Sequence, residues 1–282
     1  AGLYSVPMYA LIQSRAEPTH RARIIAANNF LNAVFMIASS VLAGALLKAG
    51  FTVPQIFLAT GILNALVALY VFLLVPEYLL RFAAWVLSHA MYRFRVTGDE
   101  HIPQTGAAVL VCNHVSLVDA LLLMAASPRP IRFLMDHRIF ATPVLGALFR
   151  LAKAIPVAPR REEPEVYSAA FEAAHQVLKE GDLLGIFPEG GITRDGKLAE
   201  FKGGVARIVE RARAEGVEPA VVPMALRNLW GSFFSRVEGS AMSSAFRRGL
   251  WNRVGLAVGP PLPREEISPE QLRARVAALL AG

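Results

Sequence analysis

Cysteine is all but missing: Cys112 is the one thiol among 282 residues, so no internal disulfide framework holds the chain together. Charge is scarce as well. Charged residues make up 18% against 54% apolar, and the mean hydropathy is +0.42, which excludes a disordered chain and points to a membrane portion. Acids are scarcest in the first third, where up to Arg95 only Glu17 and Glu77 stand against seven Lys and Arg. A basic excess confined to the apolar part argues for contact with anionic lipid and against a nucleic-acid-binding face. Neither the Rossmann nor the P-loop glycine signature occurs, and the histidines (His20, His89, His101, His114, His137, His175) have no zinc-ligand spacing. No metal and no cofactor is therefore expected. The length corresponds to one or two domains.

What is present begins with two uncharged runs, 24 residues from Ile24 to Leu47 and 28 from Ala49 to Pro76. Each can cross roughly 30 Å of hydrocarbon at about 1.5 Å per residue. Gly50 to Pro54 breaks them into a tight transmembrane hairpin. Arg15, Arg21 and Arg23 precede it and Arg81, Arg93 and Arg95 follow, whereas the turn offers only Lys48. The positive-inside rule puts both flanks, and all that follows, on the cytoplasmic side of the cell's inner membrane. Ala1 to Ser14 is too short to span and lacks a basic n-region and a cleavage site, so it reads as the tail of an earlier membrane helix and the chain as a fragment of something longer. Tyr78 to Tyr92 intersperses apolar residues with Arg81, Ser88 and His89, the pattern of an interfacial helix.

From about Val96 short apolar runs alternate with helical ones. Ala107–Cys112, Ile131–Met135, Ile155–Ala158, Asp182–Phe187, Ala220–Leu226 and Val254–Val258 read as strands; 117–126, 143–154, 165–180, 204–215 and 269–280 read as helices, the last with Ser268 as N-cap. The pattern predicts an α/β domain with a mostly parallel sheet flanked by helices, preceded by the hairpin.

Four segments carry chemistry. After the strand at Cys112 come Asn113, His114, Val115, Ser116, Leu117, Val118 and Asp119, a polar turn opening a helix. His114 sits at the corner, and Asp119 can reach back to one imidazole nitrogen and leave the other as a base. Ser116 with Asp119 equally makes a capping box that needs no catalysis. Arg160 and Arg161 end a strand, as a phosphate clamp or a solvated turn. Phe187, Pro188, Glu189, Gly190, Gly191, Ile192, Thr193 and Arg194 follow another strand, with Lys202 nearby; adjacent glycines let backbone N–H groups approach an anion, or merely make turns. Pro223 interrupts an apolar strand, which suggests an edge, a bulge or a pocket wall. Cys112 with His114 also fits a thiol hydrolase, and equally an ordinary strand face.

In this order the segments resemble the four motifs of the glycerolipid acyltransferases, the lysophosphatidate-acyltransferase-like superfamily, over roughly Arg95 to Gly259. Met135 to Arg138 and Leu226 to Ser235 resemble the branch of 2-acylglycerophosphoethanolamine acyltransferases, in which the enzyme can be fused behind a major-facilitator lysophospholipid transporter. Tyr9 to Gln13, Glu17 to Arg23 and Ala26 to Asn29 resemble the end of such a transporter. The resemblance implies three parts: a transporter remnant (1–77), an amphipathic linker helix (78–95) and an acyltransferase domain (96–282). It implies acyl transfer from acyl-carrier protein or acyl-CoA to the hydroxyl of a membrane lysophospholipid, lysophosphatidylethanolamine first. The alternatives are 1-acylglycerol-3-phosphate, giving phosphatidic acid, and, from a different class, a lysophospholipid transporter fragment. His114 is implied as general base and Asp119 as its partner. Asn113, Ser116, Arg160, Phe187, Pro188, Glu189, Gly190, Gly191, Thr193, Arg194, Lys202 and Pro223 are implied to line the substrate site, Glu189 organising the cations. One departure is plain: many relatives follow Glu-Gly directly with Thr-Arg, whereas here Gly191 and Ile192 intervene.

Overall fold

A computed structural model of the chain describes residues 9, 16, 19–74, 76–236 and 251–282. The chain divides into two compact units, 1–75 and 76–282. In the first, helix α1 (Arg21–Lys48) and helix α2 (Val53–Leu74) are joined by a turn in which Gly50 takes a left-handed φ of +93°. Gln55 Oε1 accepts from Thr52 N at 2.9 Å at the start of α2. No residue of α1 is buried, and side chains such as Phe30, Phe35 and Phe57 lie open. Both helices are long and apolar enough to cross a membrane. Apart from Tyr9, the expected helix tail at Ala1–Ser14 lies outside the described residues.

The second unit opens with α3 (Pro76–Met91) and β1 (Tyr92–Thr97), then β2 (Ala108–Cys112), α4 (Asp119–Ala126), β3 (Ile131–Asp136), α5 (Pro143–Leu151), β4 (Ile155–Val157), α6 (Pro164–Lys179), β5 (Leu183–Ile186), α7 (Gly204–Ala214), β6 (Ala220–Arg227), β7 (Asn252–Val258) and α8 (Pro269–Ala281). The seven-stranded sheet has the order β1-β7-β6-β2-β5-β3-β4, parallel except for β6 against β7. Alternation along β2 separates two cores. Ala108, Leu110 and Cys112 pack with Leu122 and Leu123 of α4, whereas Val109 and Val111 pack with Leu178 of α6, Val209 of α7 and Val276 of α8. Ser268 caps α8 by accepting from Gln271 N at 3.2 Å.

Two sequence expectations change. The helix expected at 78–92 ends at Met91, and Tyr92–Thr97 is a strand paired with β7. Its buried Tyr92 and Phe94 alternate with exposed Arg93 and Arg95, so the arginines that resemble a helix flank are the outward positions of a period-two strand. Pro223 lies inside the sheet, not at an edge, between β2 and β7.

Candidate active site

The site forms where β2 and β5, adjacent and parallel, end side by side. Beyond β2 the chain turns before α4, and Asp119, the first residue of that helix, is fully buried. Its Oδ2 accepts from His114 Nδ1 at 2.7 Å, from Val115 N at 2.7 Å and from Ser116 N at 3.0 Å. One carboxylate oxygen thus closes the loop and fixes the imidazole. Burial raises the Asp119 carboxyl above its ordinary range, an effect opposed chiefly by the His114 hydrogen bond. The other oxygen, Oδ1, has no partner among the described residues. Only half of the expected capping box forms, because Ser116 Oγ accepts from Val118 N at 3.3 Å rather than from Asp119 N. The carboxylate serves helix start and histidine at once.

His114 Nδ1 is therefore engaged, and Nε2 has no hydrogen bond among the described residues on a side chain 21% exposed. The ring stacks on Phe187 with centroids 4.3 Å apart, and Phe187 stacks on Phe133 at 5.9 Å. Gly185 in β5 makes this possible, since a Cβ there would collide with the Phe133 ring. Phe133 belongs to the site but carries no signal of its own in the sequence; the Gly185 gap in an apolar strand is the available hint.

Among the described residues Glu189 holds backbone N–H groups and pairs with no cation. Its Oε1 accepts from His114 N at 2.7 Å and its Oε2 from Ala199 N at 2.9 Å, tying three loops together. Burial raises its carboxyl, and the two backbone N–H groups oppose that. Thr193 is buried; its N–H donates to His114 O at 2.9 Å, and its hydroxyl is held by Asp195 and Lys197 O, each at 3.0 Å. Asn113 bridges to β6, donating to Leu226 O at 3.2 Å and accepting from Leu226 N at 2.8 Å. Asn113, Glu189 and Thr193 thus hold the backbone around the histidine.

The remaining positions divide. Gly190 has φ +73°, its N–H donates to Phe187 O at 3.0 Å, and Lys202 lies where its Cβ would be, while Lys202 N donates to Pro188 O at 2.9 Å. The N–H of exposed Gly191 has no hydrogen bond among the described residues, and neither do the exposed side chains of Arg194 and Lys202. Arg160 follows β4, three strand positions from β2, or about 14 Å across the sheet. Pro223 shares its side of β6 with Val221 and Ala225, which pack in the core opposite Cys112 and hence opposite His114. The Cys112 thiol is fully buried, and that burial raises it well above its ordinary range and so disfavours the thiolate that a nucleophile requires. A cavity of about 360 Å³ beside the site is lined by Asn113, Glu189, Lys197 and Trp230 but not by His114.

Residues 93–227 match the family profile described as Acyltransferase. A chloroplastic 1-acyl-sn-glycerol-3-phosphate acyltransferase of Arabidopsis thaliana is 29% identical over 49% of this chain and 37% of its own. The 1-acyl-sn-glycerol-3-phosphate acyltransferase of Bacillus subtilis is 25% identical over 66% and 81%. That of Borreliella burgdorferi is 27% identical over 50% and 54%, so the chain spans about half the length, or less, of several such relatives. The fold is shared with the crystal structure of the 1-acyl-sn-glycerophosphate acyltransferase PlsC from Thermotoga maritima, at a TM-score of 0.52 and 23% identity over 67% of this chain and 69% of that one. The match takes in the segment that carries His114, Asp119 and Glu189, which is thus similar to acyltransferases in sequence and shares the fold of one.

Proposed function

We propose that the protein transfers a fatty acyl group from a thioester to the free hydroxyl of a membrane lysophospholipid. The observation that carries this reading is the imidazole of His114, with Nδ1 held by a buried carboxylate at 2.7 Å and Nε2 unclaimed. Nε2 takes the proton of the acceptor hydroxyl as its oxygen attacks the thioester carbonyl. Asp119 holds the tautomer and stabilises the imidazolium. Collapse of the tetrahedral intermediate breaks the C–S bond, and the imidazolium returns the proton to the departing thiolate. The pair involves no protein nucleophile. Arg194, Lys202 and the N–H of Gly191 are the phosphate ligands in this reading, and Arg160 is a more distant member.

Lysophosphatidate is the acceptor that the relatives favour, since those compared are 1-acyl-sn-glycerol-3-phosphate acyltransferases. The resemblance of Met135–Arg138 and Leu226–Ser235 to the ethanolamine branch favours lysophosphatidylethanolamine as a second reading. Helices α1 and α2 anchor the chain as a hairpin in the inner membrane; their flanking arginines put the catalytic unit on the cytoplasmic side, and a major-facilitator origin of 1–77 belongs to the second reading. The test offers purified protein each lysolipid with acyl-CoA or acyl-carrier protein and measures the diacyl product by mass spectrometry. Higher kcat/KM for lysophosphatidate supports the first reading, higher kcat/KM for the ethanolamine lipid the second. No product from any pair overturns both.

A further inference from the structure

Three rings stand in a row on one side of the sheet. Phe133 in β3, Phe187 just after β5 and His114 just after β2 follow the strand order β3-β5-β2. The Phe133 and Phe187 planes differ by 9° and those of Phe187 and His114 by 16°, so the rings are nearly parallel, with the imidazole at the end. The strand register explains the row. Phe133 pairs with Gly185 across the parallel ladder, and Phe187, two residues beyond Gly185, lies on the same side of β5. A Cβ at Gly185 would collide with the Phe133 ring, so the bare backbone there lets that ring lie over β5 and stack on Phe187. Phe133 is almost fully buried, so its ring packs on protein.

An aromatic face carries negative potential and attracts a cation within about 6 Å of the ring centroid. The His114 ring is 4.3 Å from that of Phe187, and it gains a positive charge when Nε2 takes the proton of the acceptor hydroxyl. Its attraction to the Phe187 face is therefore stronger in the transition state than in the ground state, which is the condition for an interaction to raise kcat. Phe187 also complements the carboxylate. Asp119 acts on the edge of the imidazole, through Nδ1 at 2.7 Å, and burial raises that carboxyl above its ordinary range. Phe187 acts on the face of the ring and brings no charge that must be desolvated. Stacking limits rotation of the imidazole, and Phe133 limits rotation of Phe187 in the same way.

We propose that Phe187 and Phe133 are positioning residues of the acyl transfer: Phe187 holds the plane of the imidazole and stabilises the imidazolium, and Phe133, seated over Gly185, holds Phe187 from behind. The proposal rests on the reading of His114 as the base. In the full chain Phe187 is replaced by mono-, di- and trifluorinated phenylalanine, which keep the shape of the ring and progressively weaken the negative potential of its face. The acceptor is lysophosphatidate or lysophosphatidylethanolamine, whichever the wild type takes, with acyl-CoA or acyl-carrier protein as donor. The kcat is expected to fall with each fluorine, by about 5- to 30-fold over the series, with the KM of the lysolipid unchanged. Phe133→Leu, verified as folded, is expected to lower kcat by about threefold and to change nothing when Phe187 is already Leu, because its effect passes through that ring. A kcat independent of fluorination, with His114→Ala inactive, overturns the proposal and leaves the acyl-transfer reading standing. A series that moves KM and not kcat does the same and returns Phe187 to the substrate wall. An equal loss from Phe133→Leu in both backgrounds overturns the part assigned to Phe133. Full activity in a folded His114→Ala protein overturns the base, and the proposal with it.

Discussion

Replacing Asp119 by Asn keeps the shape of the loop and removes one charge. Ala would be the poorer test, because it strands the N–H groups of Val115 and Ser116 and the imidazole N–H, at about 1–3 kcal/mol each. An Asn oxygen in the Oδ2 position still accepts all three bonds, and its NH2 group takes the place of Oδ1, which has no partner among the described residues. What is lost is the attraction between the carboxylate and the imidazolium formed in the transition state. For charges about 4 Å apart at an effective dielectric of about 20 this attraction is worth about 4 kcal/mol, or about a thousandfold in kcat. The assay is initial rate at saturating acceptor in mixed micelles, which separates kcat from KM, with circular dichroism to verify folding. Stability supplies a second readout. Burial raises the Asp119 carboxyl, so the folded chain keeps this proton to a higher pH than the unfolded chain does. The wild type therefore loses stability relative to Asp119→Asn as pH rises from about 4, where an unfolded Asp ionises, through the raised native value. A folded Asp119→Asn protein with kcat within about threefold of wild type, against the thousandfold expected, refutes the assigned role.

Other outcomes follow from the same geometry. Glu189→Gln keeps one acceptor for two backbone donors, His114 N and Ala199 N, so urea denaturation is expected to show a loss of about 1–3 kcal/mol together with lower kcat; unchanged stability contradicts the tether. Gly190→Ala forces a side chain into a left-handed conformation against Lys202, costing about 1–2 kcal/mol, whereas Gly191→Ala, in open space, leaves the melting temperature unchanged. Arg194→Ala is expected to raise the KM of the lysolipid with little change in kcat, and an unchanged KM removes it from the phosphate site.

Much of this arrangement is legible in the sequence where apolar period and turn chemistry coincide. Strand β2 and the turn before α4 follow from Ala107–Cys112 and the polar run after it, and Asp119 lies within reach of His114 at five residues' spacing. Strand β1 is misread because its arginines resemble a membrane-helix flank, and only pairing with β7 more than 150 residues away distinguishes the two. The role of Glu189 is hidden for a similar reason: its partners are backbone N–H groups, which no residue identity marks. Pro223 shows the limit from the other side, since alternation turns its ring away from the histidine and motif proximity does not encode facing.

The most direct measurement compares wild type with His114→Ala, both verified as folded, for diacyl phospholipid formed from lysophosphatidate or lysophosphatidylethanolamine with a thioester donor, read by mass spectrometry. The account predicts product from the wild type and none above background from the variant with either acceptor. Undiminished product from folded His114→Ala would contradict it, because Nε2 of that residue is the base on which the proposed transfer depends.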